Sequence, residues 1–405
     1  MGAFQESLER VIAETPRLVL SSILREKLRK KGITLRPAEL EKFAAHIIKG
    51  SGTPFVTDRH RSQDNRIVEI TISDSDIANI ERKFDQVTTS LADSLGPIVK
   101  NVASGALSNL RTAWRAAGKK ANRETREFEK RLYRRWGTAL DDLKLLLELA
   151  QELGHETIRK RVPRNRRAPP TVDVLIRLHT RACRIAAESI KLLCSGFADG
   201  AMARWRTLYE ISTVSCVISK FGNEIAERYL AHVVIEERKA LTQLEKYGRR
   251  LRDEPIDIDT RRAVNDRFSS AVARFGLSFR NQYGWAAKHL GKHNPTFSDL
   301  IDAAGISHWK PYYKIASHSV HANPKGLRAQ FGLLFDTDIL LAGPSNAGLG
   351  EPGHSIAICL NQISALLLDL DNSLDNLVML QLMVLLERAI GKAFGGAHRR
   401  LLEDA

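Results

Sequence analysis

Apolar side chains recur at three- and four-residue intervals through much of this chain, and this helical period constrains its fold more than any other feature. The clearest run predicts a helix with a buried face of Val174, Leu175, Leu178, Ala182, Ile185, Ala186, Ile190 and Leu193. The alternation that marks a strand is confined to residues 53–57 and 67–72, with a polar segment between them. We therefore predict a mainly α protein, with a small β-hairpin in a helical N-terminal region and a helical bundle after it.

A basic, proline-rich segment divides the chain. Residues 159–170 read RKRVPRNRRAPP and contain no periodic apolar positions. This composition is typical of a linker between domains. The predicted organisation is a basic helical N-terminal region over residues 1–158, a linker over 159–171 and a helical bundle domain over 172–405.

The formal net charge of +15 lies mostly in the N-terminal part. Residues 1–170 hold 33 Lys and Arg against 22 Asp and Glu, whereas the rest of the chain is close to balanced. Such an excess favours a polyanionic partner, nucleic acid before a membrane surface.

Patterns that the chain lacks exclude several classes of protein. The longest apolar runs, residues 360–368 and 377–386, are shorter than the ~18 residues that cross a bilayer, and residues 1–14 do not resemble a secretory signal. We predict a cytoplasmic protein without membrane contact.

The four cysteines lie far apart without CxxC spacing, which argues against a disulfide framework or a zinc site. No cofactor is predicted either, because the one GxGxxG match, residues 348–353, contains a proline where a phosphate-binding amide would be needed.

The densest group of chemically active side chains lies in residues 312–324, YYKIASHSVHANP. On a helix, Lys314, Ser317, His318 and His321 fall within about 100° of arc. A proline soon after His321 ends the helix there, and the partial negative charge of a helix C-terminus suits a cationic general acid or phosphate ligand. The alternative is that both histidines bond to carbonyl groups of the last turn. No nearby carboxylate or cysteine completes a metal site, so none is predicted.

Charged residues also interrupt two strongly apolar helices. Arg206 and Glu210 stand four residues apart in one of them, and Arg228 lies in the next. Burying a charge without a partner is costly, so an interior Arg–Glu pair indicates a structural clamp or part of a site. The alternative is an ordinary surface pair that contributes little to stability.

Taken together, these motifs resemble an uncharacterised bacterial domain family over about residues 172–390. The resemblance rests on Arg206 and Glu210, on Arg228-Tyr229-Leu230, and on Tyr313 followed by Ser317, His321 and Asn323-Pro324. Members of that family are all-helical, have no settled activity, and look similar to HEPN domains, the helical ribonucleases and nucleotide-binding modules of bacterial conflict systems.

The resemblance implies a site. HEPN ribonucleases use an Arg, four to six residues and then a His, and two copies meet across a dimer to cleave RNA without metal. In this chain Lys314 and His321 keep the six-residue gap, with Lys in place of Arg. The resemblance implies His321 as acid or base, His318 as its partner, and Arg206 or Arg228 as phosphate clamp. The predicted catalytic set is His321, His318, Arg206, Arg228, Glu210 and Lys314.

A second candidate surface lies before the linker. Basic residues keep three- or four-residue spacing at Arg111, Arg115, Lys119, Arg123, Arg126, Lys130 and Arg134. On a helix they occupy a sector of ~140°, which indicates either a nucleic-acid-binding stripe or a solvated charged face.

Three functions are consistent with these observations, and the third is a purely structural or assembly role. The first is a HEPN-like, metal-independent endoribonuclease that acts as the effector of a bacterial defence or toxin system, as a homo-oligomer on RNA rather than DNA. The alternative is a non-catalytic helical module that binds nucleic acid or a partner protein in such a system. The sequence alone leaves open whether the chain is an enzyme.

Overall fold

The computed structural model describes residues 3–50, 52–57, 67–162, 168–252, 254–321, 324–328, 330–335, 340–371 and 373–404. The helices of these segments are α1 (Ala3–Lys30), α2 (Pro37–Ile48), α3 (Asp74–Arg161), α4 (Pro170–Cys194), α5 (Ala198–Phe221), α6 (Asn223–Ala231), α7 (Val233–Leu251), α8 (Ile258–Phe275), α9 (Ala287–Leu290), α10 (Phe297–Ala304), α11 (Lys310–Val320), α12 (Pro324–Arg328), α13 (Gly350–Leu368) and α14 (Leu374–Glu403). Three short 3₁₀ turns, Leu277–Arg280, Gly284–Ala286 and Ser307–Trp309, connect helices of the C-terminal part.

The predicted β-hairpin is wrong. Within the segments just given there is no strand, and residues 52–57 and 67–73 are irregular. Ile70 and Ile72 pack on the apolar cluster of α1 and α2, and Lys27 Nζ donates to the carbonyl oxygen of Thr71 at 3.1 Å. The apolar side chains that alternate in this segment pack on α1 and α2, so one side of the segment is buried against helices rather than in a sheet. The polar segment predicted to connect the two strands, residues 58–66, lies outside the described residues.

The chain forms two compact units, Met1–Ala121 and Asn122–Ala405. The division falls inside α3, well before the predicted linker at residues 159–171. The physical reason is that the later part of α3 carries large apolar residues, among them Trp136 and Leu143, which are fully buried in the core of the second unit. Residues 163–167 of the predicted linker are outside the part that the structure describes.

Helix α4 confirms the prediction made from its periodicity. All eight residues of the predicted apolar face are buried in the core of the second unit. Helix α5 packs against α4, α10, α11 and α13, and buried residues occur on most of its sides. Because α5 is central, it can present side chains to several neighbouring helices at once.

The turn between α4 and α5 depends on Gly196. Its φ of +80° lies in the left-handed region that favours glycine. A Cβ at this position would lie 2.8 Å from the ring of Phe128 on α3 and from the carbonyl oxygen of Ser345. The turn therefore packs tightly against α3.

No helix of the described segments combines the length and the apolar content needed to cross a membrane.

Candidate functional site

The polar residues nearest the predicted site form a cluster between α5 and α11. Arg206 Nη2 donates to the hydroxyl oxygen of Tyr313 at 2.7 Å, and this hydroxyl donates to Glu210 Oε1 at 2.7 Å. Arg206 Nη2 also lies 3.3 Å from Glu210 Oε1. The guanidinium carbon stands 4.7 Å from the centre of the Tyr313 ring, within reach of a cation–π interaction. We call Arg206, Glu210 and Tyr313 the clamp.

Aromatic rings enclose the clamp. The ring centre of Tyr313 lies 5.4 Å from that of Tyr209 and 5.1 Å from that of Phe297. Burial, reinforced by the carboxylate of Glu210, raises the pKa of Tyr313, so its hydroxyl keeps its proton and continues to donate. The clamp therefore joins the N-terminal half of α11 to α5, through an Arg–Glu pair whose side chains are partly exposed rather than interior.

Arg228 lies in a different environment. It is buried, its Nε donates to the carbonyl oxygen of Trp285 at 2.9 Å, and its Nη2 lies 3.4 Å from the carbonyl oxygens of Phe275 and Gly284. Desolvation lowers the pKa of Arg228, and the rings of Phe275 and Phe279 face its guanidinium. Its donors are committed to the backbone, and Arg228 lines neither of the cavities described next.

The two predicted histidines do share a cavity, which we call the histidine cavity. It has a volume of about 500 Å³ and lies beside the C-terminal end of α11. Its polar walls are His318, Ser319, His321, Asp199 and Gln330. His321 is the C-cap of α11, with its amide donating to the carbonyl oxygen of Ser317 at 3.1 Å. The predicted end of the helix near His321 is thus confirmed.

Asp199 was not predicted to belong to the site. It lies in the first turn of α5, where its carboxylate accepts hydrogen bonds from the amides of Phe331 at 3.2 Å and Gly332 at 3.4 Å. The only sequence signal is an acidic residue between Gly196 and Gly200 near a helix start, a pattern too common to single out. Lys314, by contrast, is exposed and does not line the histidine cavity.

The seven residues of the predicted basic stripe all lie exposed on α3. Arg111, Arg115 and Lys119 belong to the first compact unit, and the other four to the second. Arg123 Nε lies 3.8 Å from Glu127 Oε1, in an exposed pair. The remaining three residues of the second unit line a larger depression.

This depression, the basic groove, lies between α3 and α4 and has a volume of about 910 Å³. Its charged residues are Arg126, Lys130, Arg134, Lys144, Lys191 and Glu129. Glu129 accepts a hydrogen bond from the Ser195 hydroxyl at 3.0 Å. Five cations against one carboxylate make the groove suited to a polyanion. Lys191 could not be assigned to it from sequence, because it joins the groove only through the packing of α4 on α3. Lys144, by contrast, lies on α3 at the same helical angle as Arg126.

The basic groove and the histidine cavity meet at the turn between α4 and α5. Ser195 lines the groove, and the next residue, Gly196, lines the cavity. Among the residues that the structure describes, the two depressions share no lining residue and are connected only through this pair of consecutive residues. The sequence predicted the two sets of residues separately and offered no sign of their proximity.

Among the residues that the structure describes, no three His, Cys, Asp or Glu side chains are grouped so that they could hold a metal ion.

Residues 172–338 match the model of a family of unknown function, DUF5677. The predicted resemblance to an uncharacterised helical domain family is thereby confirmed, over a shorter range than the predicted residues 172–390, and the helical structure of this range agrees with it. The further likeness to HEPN domains is not confirmed by this match. No curated protein and no solved structure matches the chain.

Proposed function

We propose that the chain is a metal-independent endoribonuclease in which His318 and His321 exchange protons with RNA in the histidine cavity. The observation that carries this proposal is that His318 and His321 line one cavity, whose Gly196 follows directly after Ser195 of a groove with five cations. RNA is favoured over DNA because the chemistry available to two imidazoles needs a 2′-hydroxyl nucleophile.

The proposed reaction is a transesterification. One imidazole takes the proton of the ribose 2′-hydroxyl, and the 2′-oxygen forms a bond to phosphorus. The other imidazole gives a proton to the 5′-oxygen as the P–O5′ bond breaks. The products are a 2′,3′-cyclic phosphate and a 5′-hydroxyl, and the two histidines end with their protonation states exchanged.

Neither Arg206 nor Arg228 is placed to act as the phosphate clamp in this proposal. Arg206 acts through Tyr313 as a positioning residue, since it fixes α11 and with it both histidines. We assign the charge of the developing phosphorane instead to Lys325, which lines a cavity that shares His318 with the histidine cavity.

Purified protein incubated with single-stranded RNA in excess EDTA tests the proposal. We expect cleavage, and a loss of about 10²–10⁴-fold for His321→Ala and for His318→Ala, the usual contribution of a general acid or base. His293→Ala is the matched control, because His293 is exposed and lines neither cavity. Cleavage that is absent from the unaltered protein, or equal in all three variants, would overturn the assignment.

We also propose that the chain forms a homodimer through α14. One face of this helix carries Leu374, Leu377, Val378, Leu382 and Leu385, which are 46–79 % exposed. Exposed Asp375 lies near the start of this face, and exposed Arg388 and Lys392 lie farther along. An antiparallel second copy would therefore pair apolar with apolar and acid with base across a two-fold axis.

Light scattering after size exclusion tests the dimer. The double substitution Leu377→Asp with Val378→Asp is expected to yield a monomer. Leu244→Asp with Leu251→Asp, at exposed apolar positions of α7, is the control and should leave the mass unchanged. A protein that is monomeric before any substitution would contradict this part of the proposal.

The second candidate function is a binding module without catalysis, and the composition of the basic groove favours it. In that case, RNA binding is salt-dependent and survives His321→Ala. It is lost when Arg126, Lys130 and Arg134 are replaced by Ala, whereas Ala at the exposed α7 residues Lys246, Arg249 and Arg250 has little effect. Binding without cleavage in the EDTA experiment would select this function.

A role as effector of a bacterial defence or toxin system, acting in the cytoplasm, stays a prediction of the resemblance. Its test is growth arrest upon expression in bacteria, with relief by His321→Ala.

A further inference from the structure

A second cavity adjoins the histidine cavity and has features that the proposed reaction does not use. It has a volume of about 620 Å³, within the range of about 300–1,000 Å³ that holds small molecules and cofactors. His318, Ser319 and Gln330 line both cavities, so the two share a wall. We call the second one the aromatic cavity.

Aromatic rings supply much of its lining. Trp309 and Tyr312 stand one helical turn apart, with ring centres separated by 5.3 Å, and Phe331 and Phe394 contribute further ring surface. Tyr312 is exposed and Trp309 half-buried, so ring faces remain accessible. Such a platform suits a flat, aromatic ligand.

Polar groups converge on the same cavity. His354 and His398 line it from α13 and α14, and Lys325 and Glu351 lie in its wall. His354 Nε2 is held by Glu387 Oε1 at 2.9 Å, which fixes the orientation of that ring. A purely apolar ligand would offer no partner to Lys325, Glu351 and His398, whereas a ligand with an anionic end and hydrogen-bonding edges can bond to them.

Glycines keep the cavity open on the side of α14. A Cβ at Gly391 would lie 2.6 Å from His354 Nε2, closer than contact distance, so the helix backbone itself forms the wall there. A Cβ at Gly395 would meet only Arg399 Nη1, at 3.8 Å, so a side chain at this position has room to extend. Gly396, the next residue, does not line the cavity.

We propose that the aromatic cavity binds a nucleotide and, given the proposed ribonuclease function, seats the base on the 5′ side of the scissile phosphate. The base stacks on Trp309 and Tyr312, and the carboxylate of Glu351 accepts hydrogen bonds from its amino or imino groups. The 3′-phosphate lies toward Lys325 and the shared wall at His318, where the proposed cleavage takes place. The cavity thereby sets which base is preferred at the cut.

Calorimetric titration of the full chain with the four nucleoside 3′-monophosphates tests this inference without any dependence on cleavage. We expect at least one of them to bind. Gly395→Leu should weaken it about tenfold or more by filling the cavity, and Gly396→Leu should leave it unchanged. Both substitutions replace a helical glycine and are expected to raise helix stability, so loss of folding does not explain a difference between them. Trp309→Ala and Tyr312→Ala should weaken binding as well, with exposed Trp114→Ala as control.

Two further ligands show whether the binding heat comes from the phosphate group alone or from the whole nucleotide, and whether the site also takes nucleotides within RNA. Inorganic phosphate should bind more weakly than the nucleotide and be insensitive to Gly395→Leu, and a single-stranded hexanucleotide should compete if the site takes nucleotides within RNA. No binding by any nucleotide, or binding indifferent to Gly395→Leu and Trp309→Ala, would overturn the inference. Nucleotide binding that depends on Gly395 in a protein that cleaves no RNA would support this site while overturning the proposed function.

Discussion

Arg206 and Arg228 look equivalent in the sequence, since each interrupts an apolar helix, yet the structure gives them different surroundings. Arg228 is buried and its donors face three backbone carbonyl oxygens. Arg206 is only partly buried and bonds to Glu210 on its own helix and to Tyr313 on α11, the helix that carries the site. An arginine whose hydrogen bonds go to the backbone serves the fold, whereas one that joins two side chains can transmit its position to a site.

The largest effect is expected from Arg228→Met. It removes the Arg228 donor from the carbonyl oxygens of Trp285 and Phe275, and one of two donors from that of Gly284, which also accepts from the Ala287 amide. Each buried group left without a donor costs about 1–3 kcal/mol. We expect the free energy of unfolding to fall by about 3–5 kcal/mol in urea denaturation. Lys at this position should not rescue stability, because an ammonium lacks the fork that reaches several carbonyls. A fall in the free energy of unfolding below about 1 kcal/mol would show that Arg228 contributes little to the stability of the fold.

The histidines can be divided in the same way as the arginines: His179 lies in the core, whereas His318 and His321 line a cavity. His179 is buried and its Nε2 lies 3.1 Å from the hydroxyl oxygen of Ser364; burial lowers the pKa of His179 to about 4. The unfolded chain, with a pKa near ~6.5, therefore binds more protons between these values. Stability is fully present above about pH 6.5 and is lost as the pH falls toward 4, by roughly 2–3 kcal/mol.

The measurement is the free energy of unfolding as a function of pH for the unaltered protein and for His179→Gln. Gln retains a hydrogen-bonding amide but does not titrate in this range. The slope between pH 6.5 and pH 4 should therefore be shallower in the variant. Equal slopes would mean that His179 is not the group responsible.

A smaller effect is expected at the clamp. Tyr313→Phe removes the bridging hydroxyl but keeps the ring and the direct approach of Arg206 to Glu210 at 3.3 Å. The free energy of unfolding should fall by about 1–2 kcal/mol. If the clamp positions α11, RNA cleavage should fall by more than the unfolded fraction explains, with KM nearly unchanged. If Tyr313→Phe loses this much stability but keeps full activity, the clamp has a purely structural role, and Arg206 does not differ from Arg228 in this respect.

The smallest effect on folding is expected for Arg123→Ala. Its contact with Glu127, at 3.8 Å between exposed side chains, should be worth under about 0.5 kcal/mol. The same substitution should weaken RNA binding modestly and lower its salt dependence by about one ionic contact, if Arg123 meets a phosphate. Filter binding over a salt series measures this, with Lys246→Ala on α7 as the comparison.

Helical periodicity and breaker residues determined most of the secondary structure. The apolar face of α4 and the end of α11 beside His321 could both be read from spacing, because these are local properties of a helix. The β-hairpin failed for the same reason: alternation in residues 67–72 reports one buried side and does not specify whether a strand or a helix covers it.

Only the tertiary structure decided which of the predicted site residues lie close together. Packing brings Tyr313 to Arg206 and Glu210, places Asp199 in one cavity with His318 and His321, and adds Lys191 to the basic groove. These neighbours are far apart in sequence or on different helices, and a helix period carries no information about which helix lies opposite. The sequence by itself determined which faces are apolar and where helices end, since backbone and solvation energies are local, whereas the site arises from contacts between distant segments.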